Sequence, residues 1–243
     1  AIYAGTLGGR KVRIRALKHR GMGFEEEFER EMATLYTVRD QHVAYCLGGL
    51  LQPQGGCVVT EFFPSGSLRD LMAAEGLTFT TADVLTLAQE AARALFDLHN
   101  WRQPTAHGSL TSTKLLVHDV TQPVAYRLLK LCDHVHRRPY SFEVVRQVEG
   151  IEARHLVYMA PESFIEQEVG IEGDIYALGV VVWELLMRAS TGSYVSPTVL
   201  IGKRSKLEYA RAVVNGTVSV QAPPGTSQAF TELLGRMVQQ NKH

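Results

Sequence analysis

Three short stretches hold the side chains with chemical potential. The first is Thr105-Ala106-His107-Gly108-Ser109-Leu110-Thr111-Ser112-Thr113-Lys114-Leu115-Leu116-Val117, which offers an imidazole, hydroxyls and an ammonium. The second is Leu131-Cys132-Asp133-His134-Val135, with a single carboxylate. The third is Lys11-Val12-Arg13-Ile14-Arg15-Ala16, whose alternation puts Val12, Ile14 and Ala16 on one face and Lys11, Arg13 and Arg15 on the other. The Ser109 hydroxyl is neither basic nor charged near neutral pH, so it takes no proton from a substrate. The Lys114 ammonium repels a divalent cation. None of the nine histidines has H-E-x-x-H or comparable metal spacing. Cys46, Cys57 and Cys132 are odd in number without C-x-x-C spacing, and read as reduced core thiols. Taken alone, the first stretch is a helix–loop–strand corner and the third a solvated basic strand.

Such groups need elements to position them. Residues 2–7 and 11–17 read as strands joined at Gly8-Gly9, a hairpin signal. Over 24–38, Phe24, Phe28, Met32 and Leu35-Tyr36 recur at helical spacing, and Glu25, Glu26, Glu27 and Glu29 favour the N-terminal half. Residues 43–51 and 56–62 read as strands separated by Pro53 and Gly55-Gly56. A helix over 81–99 carries Val84, Leu87, Ala91, Leu95 and Leu98 on one stripe, with Thr80 as N-cap and Asp83 in its first turn. Residues 175–186 are apolar on nearly all sides apart from Glu184, which predicts a buried helix. Helices over 206–214 and 230–239 follow.

In this order the segments resemble a protein kinase of the tyrosine-kinase or tyrosine-kinase-like type. His107, Leu110 and Leu115-Leu116 fall on H-R-D-L-x-x-x-N and its trailing apolar pair. Ser109 stands at the catalytic Asp and Lys114 at the metal-binding Asn. Val12-Arg13-Ile14-Arg15 aligns with V-A-x-K, so Arg15 replaces the phosphate-binding Lys and Arg13 the small Ala on the adenine. Phe28-Glu29-Arg30-Glu31 is similar to F-x-x-E of the family's αC helix, making Glu31 the partner of Arg15. The run from Thr60 to Leu68 resembles the hinge, with Thr60 as gatekeeper and the backbone of Glu61 and Phe63 facing adenine. In Leu131-Cys132-Asp133-His134-Val135, Asp133 keeps the metal position of x-C-D-F-G, while His134 and Val135 replace Phe and Gly. Tyr158-Met159-Ala160-Pro161-Glu162-Ser163 matches M-A-P-E-S. The run from Asp174 to Leu186 matches D-x-Y-x-x-G-V-x-x-W-E-L-L, whose Asp anchors the catalytic-loop backbone. Ile2-Tyr3 resembles the residues that follow the glycine-rich phosphate loop.

The resemblance implies an α+β, bilobal protein-kinase-like fold as one domain over residues 1–243. Residues 1–63 form the small N-lobe, five-stranded with the αC helix and lacking the glycine-rich loop. Residues 64–243 form a mainly helical C-lobe, truncated at its C-terminal end. No catalytic pair is intact. Ile2, Arg13, Arg15, Glu31, Thr60, Glu61, Phe63 and Leu116 line a vestigial nucleotide cleft, in which Arg13 is expected to block adenine. Asp133 keeps a weak metal contact, and His107, Glu162 and Asp174 are structural. Loss of a general base alone costs about 10²–10⁴ in rate. The expectation is therefore a pseudokinase and not an enzyme: a signalling scaffold or allosteric regulator of a partner protein, itself an active kinase or signalling component. The alternative is a weakly active ATP-dependent Ser/Thr or Tyr kinase using non-standard groups. No cofactor is required on this reading, with ATP and Mg²⁺ bound weakly. The activation segment, 136–158, is expected not to be locked by Mg·ATP.

Composition sets the outer bounds. A length of 243 residues suits one large domain or two small lobes. A hydrophobic content of 45% with 21% charged is that of a soluble globular chain. A formal net charge of zero gives no drive toward nucleic acid or an anionic membrane. The 175–186 run is shorter than the roughly 20 residues of a membrane span. The chain opens at Ala1 without Met and reads as a fragment, either cytoplasmic or the cytoplasmic domain of a larger protein.

Overall fold

Gly8 and Gly9 take φ values of 55° and 79°, a region that side chains disfavour. They close a hairpin between β1 (Ile2–Leu7) and β2 (Arg10–Lys18). A computed structural model describes residues 1–18, 23–101, 105–118, 128–134, 148–165 and 170–239. Strand β2 pairs antiparallel with β4 (Gly55–Glu61), and β4 with β3 (Cys46–Gln52), giving the order β1-β2-β4-β3. Among the described residues this sheet has four strands. The expectation of five is corrected because the described residues of 1–63 hold four extended runs, and most of their remaining length goes to α1 (Phe24–Thr37) and its flanks. Phe28, Met32 and Leu35 of α1 bury against Cys46 and Val58 of the sheet. Gly49 permits this approach, since a Cβ there would lie 2.6 Å from the Met32 sulfur.

The strand expected from residue 43 begins at Cys46. Residues 42–44 pair with the other lobe instead: the Leu131 N–H donates to the His42 carbonyl at 2.7 Å, and the Ala44 N–H to the Leu131 carbonyl at 2.8 Å. The His42 ring also meets Asp97 at 2.6 Å. This segment therefore joins the sheet lobe to α3 (Thr81–His99).

Capping boxes start the first two helices of the larger lobe. Ser67 and Asp70 cap α2 (Leu68–Ala73), and Thr80 and Asp83 cap α3. Helix α2 spans 6 residues, too short for a periodic signal. A two-stranded sheet of β5 (Leu115–Val117) and β6 (Leu129–Leu131) follows, then α4 (Ala153–Leu156), α5 (Ile171–Thr191), α6 (Lys206–Val214) and α7 (Gln228–Met237). Helix α5 is the axis of this lobe. Its residues 176–186 are buried throughout, and it encloses Asp174, Glu184 and Arg188 as well. The Arg188 guanidinium donates to the carbonyls of Met72 at 2.7 Å and Leu77 at 2.5 Å, and so satisfies the C-terminal end of α2. The fold is thus α+β and bilobal, a small antiparallel-sheet lobe against a mainly helical one. No helix among the described residues is long and apolar enough to cross a membrane. Val135, the turn at 119–126 and the 136–147 part of the activation segment lie outside the described residues.

Candidate active site

The loop carrying His107 and Ser109 is held from α5. The Asp174 carboxylate, 1% exposed, accepts the His107 N–H at 2.6 Å and the Gly108 N–H at 2.9 Å, and meets the His99 ring at 2.8 Å. Gly108 has φ 71°, which a side chain would oppose. His107 is fully buried, and burial lowers its pKa. Its Nδ1 accepts the Ser109 N–H at 3.3 Å, so its Nε2 carries the proton and donates to the Cys132 carbonyl at 3.0 Å. This bond ties the Ser109 loop to the corner that bears Asp133.

Asp133 sits at φ 58°, a conformation that Asp tolerates better than most side chains. Its carboxylate is enclosed by cations. Arg13 grips it with two bonds, Nη1 to Oδ1 at 2.9 Å and Nη2 to Oδ2 at 2.7 Å. Lys114 Nζ donates to Oδ2 at 2.6 Å, and Arg15 Nε forms an ion pair with Oδ1 at 3.0 Å. Arg15 also pairs with Glu31 of α1. Burial opposes the charge on Asp133, but Lys114, Arg13 and Arg15 outweigh it and hold the carboxyl well below the usual range. Burial likewise opposes the charge on Arg13, and the bond to Asp133 overrides it, so its pKa moves up.

Mg²⁺ requires near-octahedral oxygen donors at about 2.1 Å. Here one carboxylate faces three cations, and each of its oxygens is already taken twice. In this arrangement neither Asp133 oxygen is left free for Mg²⁺, so these residues as they stand do not fit the ion. Arg13 reaches across to Asp133, because a buried guanidinium needs an anion and that carboxylate is in reach.

The remaining cleft residues divide. Thr60 lies opposite Arg13 in the β2–β4 ladder, buried, with its hydroxyl unpaired among the described residues. The Glu61 carboxylate accepts from Lys130 and from the Tyr45 N–H, both at 2.9 Å. Phe63 and Leu116 are buried together with Ala44 and Cys132. Ile2 stands apart, 59% exposed on the edge strand opposite Arg15. Glu162 opens a 3-10 turn, Glu162–Phe164, well along the chain from this cleft. His134 is 1% exposed with both ring nitrogens unpaired among the described residues, and burial drives its pKa down to about 3.

Two features escaped the sequence reading. A cavity of about 360 Å³ opens beside the loop, lined by Ser109, Lys114, Glu152, His155 and Tyr158 among others. Behind it, Glu184 accepts hydroxyl bonds from Tyr158 at 2.6 Å, Ser112 at 2.9 Å and Tyr194 at 2.9 Å. Burial pushes the Glu184 carboxyl up to about 7, against those three bonds. Glu184 was visible as the one charge in an apolar run, but its hydroxyl partners come from three separate segments.

The two lobes, the Asp174-held loop and the Arg15–Glu31 pair define a protein kinase domain. The family described as protein tyrosine and serine/threonine kinase matches residues 2–243, and the chain belongs to it. It is similar to stress-activated protein kinase alpha of Dictyostelium discoideum, 28% identical over 98% of this chain and 36% of that protein. Two Arabidopsis thaliana proteins, serine/threonine-protein kinases STY46 and STY17, are each 26% identical, over 97% and 99% of this chain and 38% and 39% of their own lengths. The chain therefore spans little more than a third of these relatives. Kinases of this class use ATP with Mg²⁺.

These matches correct the expectation that the chain is not an enzyme. Relatives named as kinases align across nearly all of it. The expectation weighed the substituted side chains Ser109, Lys114, Arg13 and Arg15. Phosphoryl transfer rests largely on positioning and charge, which many residues across the fold supply.

Proposed function

We propose that this chain is a slow ATP-dependent protein kinase domain of the tyrosine-kinase-like type, acting on Ser/Thr hydroxyls. Its cleft rests latched shut, and its main output is control of a partner signalling protein by direct contact. The observation that carries this reading is the closure of Asp133 by Arg13, Arg15 and Lys114. The Ser/Thr preference follows the printed names of the relatives. Ser109 supplies no base, so the oriented acceptor hydroxyl gives up its proton to a phosphate oxygen or to water as the O–P bond forms and the bond to ADP breaks, and transfer proceeds by positioning.

Radiometric transfer from labelled ATP to a generic Ser/Thr substrate tests the reading. The parent should turn over slowly, and a Ser109→Asp/Lys114→Asn double variant should gain about 10²–10⁴-fold. Equal rates in the two proteins, or no transfer by either, would overturn it.

A further inference from the structure

Five ionisable side chains meet between β2, α1 and the corner at 132–134. Arg13, Arg15 and Lys114 bring three positive charges against two negative ones from Glu31 and Asp133, so the cluster is positive by one. None of these side chains is more than 20% exposed, and charges there are screened much less than on the surface. A divalent cation would raise the local charge to three positive, and would have to displace Arg13 or Lys114 to reach an Asp133 oxygen. A polyphosphate meets the opposite situation. Lys114 has three N–H donors and spends one on Asp133, and at 20% it is the most exposed of the three cations. It also lines the cavity beside Ser109. Arg15 and Arg13 each keep guanidinium N–H groups beyond those given to Glu31 and Asp133.

We propose that this cleft holds a polyphosphate anion, as a nucleoside triphosphate or a free polyphosphate, without divalent metal. Lys114 and Arg13 supply at Asp133 the positive charge that a metal ion would otherwise bring. The inference rests on the kinase reading above and deepens it by naming the form in which the phosphates are held. Arg13 stays bound to Asp133 and keeps that carboxylate neutralised, while Lys114 and Arg15 turn their remaining donors to the phosphate oxygens. Charge-assisted bonds of this kind are the stronger class.

Isothermal titration of the 243-residue chain decides it, with ATP and with inorganic tripolyphosphate, each in excess Mg²⁺ and in EDTA. ATP should bind at least as tightly in EDTA as with Mg²⁺. Tripolyphosphate binding alongside ATP makes the phosphates the main determinant; ATP binding alone assigns the ligand to nucleotides. Lys114→Asn should lose about tenfold or more in metal-free affinity, as expected for one charge-assisted bond. Lys114→Arg, which keeps the charge, should retain binding in EDTA and guards against a folding artefact. Binding that requires Mg²⁺, no binding by the parent, or an unchanged Lys114→Asn would overturn the proposal. Mg²⁺-dependent binding together with slow transfer would sink this inference and leave the kinase reading intact. Metal-free binding with no transfer by any variant would do the reverse.

Discussion

Asp133 and His134 are neighbours in the chain with opposite circumstances. Asp133 is over-supplied with partners, while His134 is buried with none among the described residues. For Asp133 the folded pKa is depressed below the ordinary 3.8, mainly through Lys114 and Arg13 overcoming burial. Its contribution to stability is therefore fully present above the unfolded pKa, and is lost only as pH falls through the lower folded value. For His134 the cost is that of an unpaired polar ring in an apolar place. His134→Phe should raise stability by about 1–2 kcal/mol, because a buried unsatisfied group costs roughly that much. Chemical denaturation checks this, and a lower midpoint would show that the pocket cannot take the larger ring.

At the scale of elements, α5 carries two buried carboxylates with different tasks. Asp174 holds the backbone of the Ser109 loop through two N–H groups. Asp174→Ala should lower stability by about 3–5 kcal/mol, since it strands the buried His107 N–H and the half-buried Gly108 N–H. An unchanged denaturation midpoint would contradict the anchoring. Glu184 takes three hydroxyl donors but no ion-pair partner among the described residues, and its folded pKa rises from 4.5 to about 7 as burial outweighs those bonds. For an acid with a raised folded pKa, the stabilising proton is fully held below the unfolded pKa. Stability from this group thus falls as pH rises from about 4.5 to 7, then levels off, for a total of about 3 kcal/mol. Glu184→Gln should remove that slope. Thermal unfolding of both proteins across this range checks it, and the comparison cancels other titrating groups.

At the scale of the molecule, Arg13 is a tie between lobes. It leaves β2 in the sheet lobe and closes on Asp133, 120 residues away. Arg13→Ala should speed hydrogen exchange in the β1–β2 hairpin and at 130–134 by about tenfold or more, as one buried charge-assisted bond pair is lost. Exchange in α3 and α5, which Arg13 does not touch, should stay the same. Uniform acceleration everywhere would show global destabilisation in place of a lobe latch.

Much of the fold was legible because it is written in local patterns. The Gly8-Gly9 hairpin, the 81–99 helix with its Thr80 cap and the 206–214 helix each depend on neighbours within a few residues, and they stand where the residues place them. Helix α2 gives no period over its 6 residues, and residues 43–45 stand outside the expected strand because the partner of this segment, Leu131, is distant in sequence. The alternation of β2 fixed that Arg13 and Arg15 share a face. Which anion each would meet was open until the lobes came together, since a buried guanidinium takes whatever carboxylate the tertiary structure brings within about 3 Å. The sequence by itself determined the order of the elements and the residue types at the cleft. Only the tertiary structure decided that three of those side chains would converge on one carboxylate, because Coulomb energy in a buried site depends on distance and burial, and neither is a property of a linear chain.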